Sequence, residues 1–146
     1  MLVKEIMTRE VKTVSPSDTI EKAAQIMKSI DCGSVPVVEG DRVVAMLTDR
    51  DIVVKAVAQG KSPEFAVKTC MTEPVVTVQA DTPAETAADM MADNQVRRLP
   101  VIESNKLVGI LAIGDLARKQ IFVSESGRAL SEISEPSRHS NAVPTH

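Results

Sequence analysis

The residues of this 146-residue chain whose type and spacing suit chemistry gather at two places. Thr48 and Asp51 stand as Thr-x-x-Asp ahead of the apolar run Ile52-Val53-Val54, and Asp115 stands ahead of Leu116-Ala117. A hydroxyl and a carboxylate three residues apart are the pair that closes a helix start, each accepting from a backbone N–H. On the residues alone, a structural cap is the favoured reading of Thr48 and Asp51. At Asp115 that reading weakens, because Ala112 holds the cap position and offers no oxygen, yet the acid is kept; interaction with the helix dipole is the plain alternative. Gly60-Lys61-Ser62 superficially suggests a phosphate loop, but Lys55 stands where the first glycine belongs and no strand leads directly into it. His139 and His146 are the two histidines, both in a polar C-terminal stretch where a metal or acid-base role is not expected. Cys32 and Cys70 have neither metal-ligand nor redox spacing and read as small buried hydrophobes.

Composition narrows the function classes. Apolar residues at 43% and charged residues at 25% are those of a globular protein in water. A net charge of -3 without a basic block argues against a dedicated nucleic-acid binder. Trp and Tyr are absent and Phe65 and Phe122 are the two aromatics, so a stacking platform for bases cannot be built and any base held here rests on aliphatic side chains. The start Met1-Leu2-Val3-Lys4-Glu5 places charges where a signal peptide needs an apolar run, and no stretch approaches the roughly 18 apolar residues of a membrane span. A cytosolic protein with no membrane partner is expected. No nucleophile-base pair, metal cluster or dinucleotide fingerprint can be assembled, so no enzyme and no required cofactor are expected.

The elements that position these residues come from an internal repeat. Met7-Thr8 returns as Met71-Thr72, Val35-Pro36-Val37 as Leu99-Pro100-Val101 and Asp51 as Asp115, each 64 residues later. At the same shift Val3-Lys4 matches Val67-Lys68, Thr13-Val14 matches Thr77-Val78, and Ala23-Ala24 with Met27 matches Ala87-Ala88 with Met91. Each copy reads as strand, helix, strand, strand, helix. In the first, Val11 to Val14 is a short strand, and Asp18-x-x-Glu21 suggests a capping box before a helix with the stripe Ile20, Ala23, Ala24, Met27 and Ile30. Ser34 to Val38 and Val43 to Thr48 form a hairpin around Glu39-Gly40-Asp41-Arg42, and a helix runs from about Asp49 to Ala58. In the second, Thr82-Pro83-Ala84-Glu85 suggests a capping box with Pro at the first helical position, Leu99 to Ile102 and Leu107 to Ala112 form the hairpin, and the last helix starts near Gly114-Asp115. Repeats over 1–58 and 67–122, a linker over 59–66 and a mobile tail over 123–146 follow, with Ala129, Leu130 and Ile133 of the tail available to a partner. At this length one shared core is the expectation.

This pattern resembles the CBS domain over about residues 1–122. The resemblance rests on Met7-Thr8 and Met71-Thr72, on Val96-Arg97-Arg98-Leu99-Pro100-Val101, on Met46-Leu47-Thr48-Asp49-Arg50-Asp51, and on Gly109-Ile110-Leu111-Ala112-Ile113-Gly114-Asp115. It implies an α+β fold, two CBS repeats packed about a pseudo-twofold axis as a Bateman module, with two clefts that hold AMP, ADP, ATP or S-adenosylmethionine. In the family the Thr contacts phosphate and the Asp accepts ribose hydroxyls; the matching positions are Thr48 and Asp51, and the repeat context turns their reading from cap to ligand site. A carboxylate can take two ribose hydroxyls, and N–H groups at a helix start attract phosphate.

The resemblance further implies that Val75 and Val76 line the base, Pro100 closes the cleft, and Arg97 and Arg98 reach the phosphates. Two adjacent arginines make a fork for a di- or triphosphate, the plain alternative being a solvated pair on a strand edge. Arg50 is an extra cation and Met46 a polarizable wall beneath the adenine. The pseudo-symmetric cleft, with Val11, Lys12, Ser34, Pro36 and Asp115, departs from the pattern: Ala112 replaces the Thr, and Gly33 and Ser34 replace the arginines. One strong site per chain is expected, the other being empty or suited to a nucleoside. Family members pair as homodimers through helices, and the Met, Ala and Ile content near 20–30 and 84–94 suits either such a surface or a core. The function this implies is a regulatory sensor of adenosine-type ligands acting on an effector protein, the alternative being a dimerising adaptor that binds no ligand.

Overall fold

The structure is a computed structural model that describes residues 1–119. The tail, with Ala129, Leu130, Ile133 and both histidines, lies outside the described residues, as do positions 120–122 of the second repeat. The elements are α1 (Ile20–Ile30), β1 (Ser34–Glu39), β2 (Arg42–Thr48), α2 (Asp49–Asp51), β3 (Val78–Gln79), β4 (Arg98–Glu103), β5 (Lys106–Ala112), α3 (Ala84–Asn94) and α4 (Ile113–Lys119). From α2 the chain continues through a π turn, Ile52–Ala56, and a 3-10 turn, Val57–Gln59, ending at Gly60, whose φ of 73° is the left-handed conformation a residue without Cβ adopts easily. Short 3-10 turns at Val3–Glu5 and Val67–Thr69 open the two copies. No described helix is long and apolar enough to cross a membrane.

The chain forms two compact units whose boundaries cut across the repeats. Among the described residues, one unit is Lys12–Val75 and the other joins Met1–Val11 to residues 76–119. The segment that opens each copy therefore packs on the other copy's elements, with the same hydrogen bonds in both. Ile20 N donates to Phe65 O (2.9 Å) and Val67 N to Asp18 O (2.7 Å); 64 residues away, Ala84 N donates to Met1 O (2.9 Å) and Val3 N to Thr82 O (2.9 Å). Thr72 bridges Met46 as Thr8 bridges Ile110.

In place of one shared core, two clusters appear. Val14, Ile20, Ala23, Met27, Val35, Val37, Ala45 and Leu47 belong to one unit. Val3, Val78, Ala87, Ala88, Met91, Leu99, Val101, Leu111 and Leu116 belong to the other. The apolar side chains of α1 and α3 go into these cores, except that Ala24 and Ile30 of the expected stripe are exposed. β1 and β2 pair antiparallel with Ser34 opposite Thr48 and Pro36 opposite Met46; β4 and β5 repeat this with Arg98 opposite Ala112 and Pro100 opposite Ile110.

Three local expectations need correction. The strand Val11 to Val14 shrinks to one parallel bridge, Val14 to Val37, whereas the second copy pairs Val78 and Gln79 with β4. The reason is Pro16: its counterpart Ala80 donates N–H to Ile102 O at 3.0 Å, a bond proline cannot make. The box Asp18-x-x-Glu21 is not the cap of α1. Thr19 is, accepting Lys22 N at 3.0 Å, while Asp18 Oδ2 accepts Ser15 N at 2.8 Å and closes the preceding turn. Nor does Thr82 cap α3; Pro83 holds the cap position rather than the first helical one, and the amide of Ala84 is taken by the backbone of Met1.

Candidate functional site

The loop from β2 into α2 builds a buried acid. Asp51 is 7% exposed. Its Oδ2 accepts the amide of Thr48 at 3.0 Å, and Thr48 Oγ1 accepts the amide of Asp51 at 3.0 Å, so the helix start is closed reciprocally. The other oxygen, Oδ1, accepts the hydroxyl of Thr72 at 2.9 Å and faces Lys55 Nζ at 3.2 Å. Lys55 Nζ also donates to Thr72 Oγ1 at 3.1 Å. Thr72 is held in turn by its backbone, whose N–H donates to Met46 O at 2.8 Å. Thr48, Asp51, Lys55 and Thr72 thus form one network inside one unit.

Neighbouring backbone tightens the same corner. Asp49 N donates to Gly33 O at 2.8 Å, and a Cβ on residue 33 would stand 2.7 Å from Asp49 Oδ2, so a larger residue there would turn the Asp49 side chain aside. Arg50 N donates to Asp49 Oδ1 at 2.8 Å, and Arg50 is exposed. Beneath the acid, burial and the Asp51 charge push the Cys70 thiol up, against an opposing pull from Lys61 and Lys55.

The second acid, Asp115, is 6% exposed. Its Oδ2 accepts Ala112 N at 2.9 Å, the same bond that Asp51 makes, and its Oδ1 pairs with the guanidinium of Arg118. Ala112 gives nothing back, so the cap is one-sided.

The other expected site residues divide between the units. Met46, Thr48, Arg50, Asp51 and Val75 lie in the Lys12–Val75 unit, together with Lys12, Ser34 and Pro36 of the expected weaker set. Val76, Arg97, Arg98 and Pro100 belong to the other unit, with Val11 and Asp115. Met46, Thr48, Val75 and Val76 are half-buried, Pro36 and Pro100 are buried in their strands, and Lys12 is exposed. Arg97 and Arg98 are half-buried rather than a fully solvated pair; Arg97 O accepts Ile113 N at 2.9 Å, which sets it at the start of α4.

Two participants escaped the sequence reading. Thr72 was visible only as a repeat landmark, and nothing local says that its hydroxyl turns toward an acid 21 residues earlier. Lys55 carried a readable signal, an acid followed four residues later by a base on one helical stretch.

Known proteins frame this geometry. The family described as CBS domain matches residues 3–57 and 67–121. The CBS domain-containing protein YhcV of Bacillus subtilis is 43% identical over 137 residues, covering 94% of this chain and 98% of its own length. The crystal structure of Hypoxic Response Protein I with two coordinated zinc ions superposes with a TM-score of 0.76 at 36% identity, over 81% of this chain and 98% of that one. The CBS domain pair of protein MJ0100, in complex with 5-methylthioadenosine and S-adenosyl-L-methionine, gives a TM-score of 0.73 at 29% identity, over 82% of this chain and 95% of that one. Among the described residues here, no group of three His, Cys, Asp or Glu is placed to hold a metal.

Proposed function

Because the chain belongs to the CBS-domain family, as a tandem pair of its domains, we propose that it is a non-catalytic cytoplasmic sensor that grips the ribose of an adenosine-type ligand through Asp51. The observation that carries this is the hydrogen bond from the Thr72 hydroxyl to Asp51 Oδ1 at 2.9 Å. A buried carboxylate that already accepts an O–H donor is chemically suited to accept another from a sugar. That a homologous CBS pair holds 5-methylthioadenosine and S-adenosyl-L-methionine supports the ligand class. Met46 and Val75, both half-buried in the same unit, are the apolar partners proposed for the base, and Thr48 and Arg50 the groups proposed for its phosphate. AMP, ADP, ATP and S-adenosylmethionine are the candidates, and a ligand that favours one of two conformations passes its presence to an effector by differential affinity.

A second reading, a dimerising adaptor that binds no ligand, is favoured by one feature. Val53, Val54 and Val57 are 58%, 46% and 66% exposed on the turns after Asp51. Three exposed valines within a short stretch suit a homodimer surface.

The separating experiment starts from the freshly purified chain, which without Trp or Tyr is almost dark in the near ultraviolet, so a bound adenine stands out. Any ligand released on denaturation is identified by mass. Wild type and Asp51→Ala are then titrated with the four candidates. The sensor reading expects binding that Asp51→Ala removes while the fold persists. A chain that binds none of the four is the adaptor.

A further inference from the structure

The acid that the proposed function assigns to ribose is already engaged by the protein's own side chains. A carboxylate offers about four lone-pair sites. Thr48 N takes one on Oδ2 and Thr72 Oγ1 one on Oδ1, while Lys55 Nζ stands 3.2 Å from Oδ1 as an ion pair and gives its hydrogen bond to Thr72 Oγ1. A ribose diol needs two. By count two remain, but the ammonium stands against Oδ1 and competes with a ribose hydroxyl for that oxygen.

The two occupants of Oδ1 differ in how easily they leave. Thr72 is fastened by reciprocal backbone bonds to Met46, 2.8 and 3.3 Å long, and its side chain has a single rotatable carbon. Lys55 has a 42% exposed side chain on a four-carbon stem, and it stands on a π turn rather than in a packed α-helix. An ammonium leaving this acid for water regains strong hydration, and the long stem of Lys55 lets it swing away while the bridged backbone of Thr72 stays in place.

We propose that Lys55 is a displaceable internal counter-ion of the nucleoside site: it pairs with Asp51 Oδ1 when the site is empty and gives that oxygen up when a ribose diol is gripped. This rests on the reading of Asp51 as the ribose acceptor. Once released, the ammonium stays within one side-chain length of the ribose. A ligand with an anionic 5′ group recovers part of what the displacement costs, and a neutral nucleoside recovers nothing. Lys55 is in this way a selectivity residue as well as a latch, biasing the site toward 5′-phosphorylated ligands over adenosine.

The test uses the full chain and two probes, adenosine and AMP, titrated by calorimetry into wild type, Lys55→Met and Lys55→Arg. Half-exposed ion pairs of this kind are weak, so Lys55→Met should bind adenosine about two- to fivefold more tightly than wild type. AMP should tighten less than adenosine or weaken, and Lys55→Arg, which keeps the charge, should bind both as wild type does. Adenosine affinity that Lys55→Met leaves unchanged or lowers overturns the latch, and equal tightening of both probes overturns the selectivity. If no protein binds either probe, the ribose reading of Asp51 fails and the latch with it, a result distinct from binding that is insensitive to position 55. Lys55→Gln, uncharged but still a donor, replaces Lys55→Met should the latter fail to fold by circular dichroism.

Discussion

Asp51 and Asp115 occupy matching places in two copies of one sequence pattern, are buried alike, and make the same bond to the amide three residues earlier. Their other side-chain partners differ. Asp51 has a threonine returning the cap, a second threonine donating to its outer oxygen and a lysine four residues on; Asp115 has an alanine that returns nothing and an arginine that covers the outer oxygen. The difference recurs at the first helix of each copy, where Thr19 caps α1 with its side chain and Pro83 offers α3 none. Helix starts in the first copy are built from side chains, while those in the second rely more on backbone and on arginine. Duplication has kept the acid and let its surroundings diverge, so one copy presents a carboxylate among hydroxyl donors and the other a carboxylate sealed by a guanidinium.

The sharpest break of this comparison is at the acids themselves. Asp51→Ala should weaken adenosine binding at least about tenfold, or about 1.4 kcal/mol, whereas Asp115→Ala should change it by far less; calorimetry on both variants decides. Equal losses would mean that the two acids serve equivalent sites. Comparable in scale, but read in stability rather than in binding, is the asymmetry under the bridging segments. A Cβ on Gly109 would stand 2.9 Å from the carbonyl of Thr8, a backbone atom that cannot easily give way, while Ala45 fills the matching position in the other copy. Gly109→Ala should cost about 1–3 kcal/mol of unfolding free energy as an overpacking change, read by denaturant unfolding, and Ala45→Gly about 0.5–1 kcal/mol from added chain entropy. Next come the caps. Thr48→Ala should lose about 1 kcal/mol, and Ala112→Thr, which would make the second cap reciprocal, should gain a similar amount.

Much of this was legible beforehand, and the particular residues show why. The constant 64-residue shift exposed the twofold plan, and both hairpins form where β-branched runs flank turn residues. What the sequence could not show was which segment packs on which copy. Met71-Thr72 and Met7-Thr8 were clear as landmarks, but their exchange between units depends on backbone bonds across long separations, as when Thr72 meets Met46 and Thr8 meets Ile110. The helix starts were misjudged for the same reason. Asp18 and Thr82 sit where local rules place caps, yet Ser15 N claims Asp18 and the carbonyl of Met1 supplies what α3 needs. Likewise the C-terminal turns of α1 and α3 pass through Asp31 and Gln95 at φ of 50° and 53°, with neither glycine nor asparagine at those two positions as a signal.

The smallest expected effect uses acid to separate the two first helices. Asp18 is held below the usual carboxylate range, chiefly by the backbone N–H of Ser15 with further help from Lys22 and against a desolvation that raises it. A carboxyl whose folded value is depressed stabilises the native state above its unfolded value, here 3.8, and loses that contribution as pH falls through the lower folded value. The matching position in the second copy is Thr82, which does not titrate. Amide exchange followed on acidification below 3.8 should therefore show protection of Ile20–Ile30 falling with a component absent from Ala84–Asn94. Asp18→Asn should remove that component, because its side chain can still accept from Ser15 N but carries no charge to lose. If both helices lose protection together in wild type and variant alike, the side-chain construction of α1 is not what distinguishes it from α3, and the backbone of the exchanged segment alone sets both helix starts.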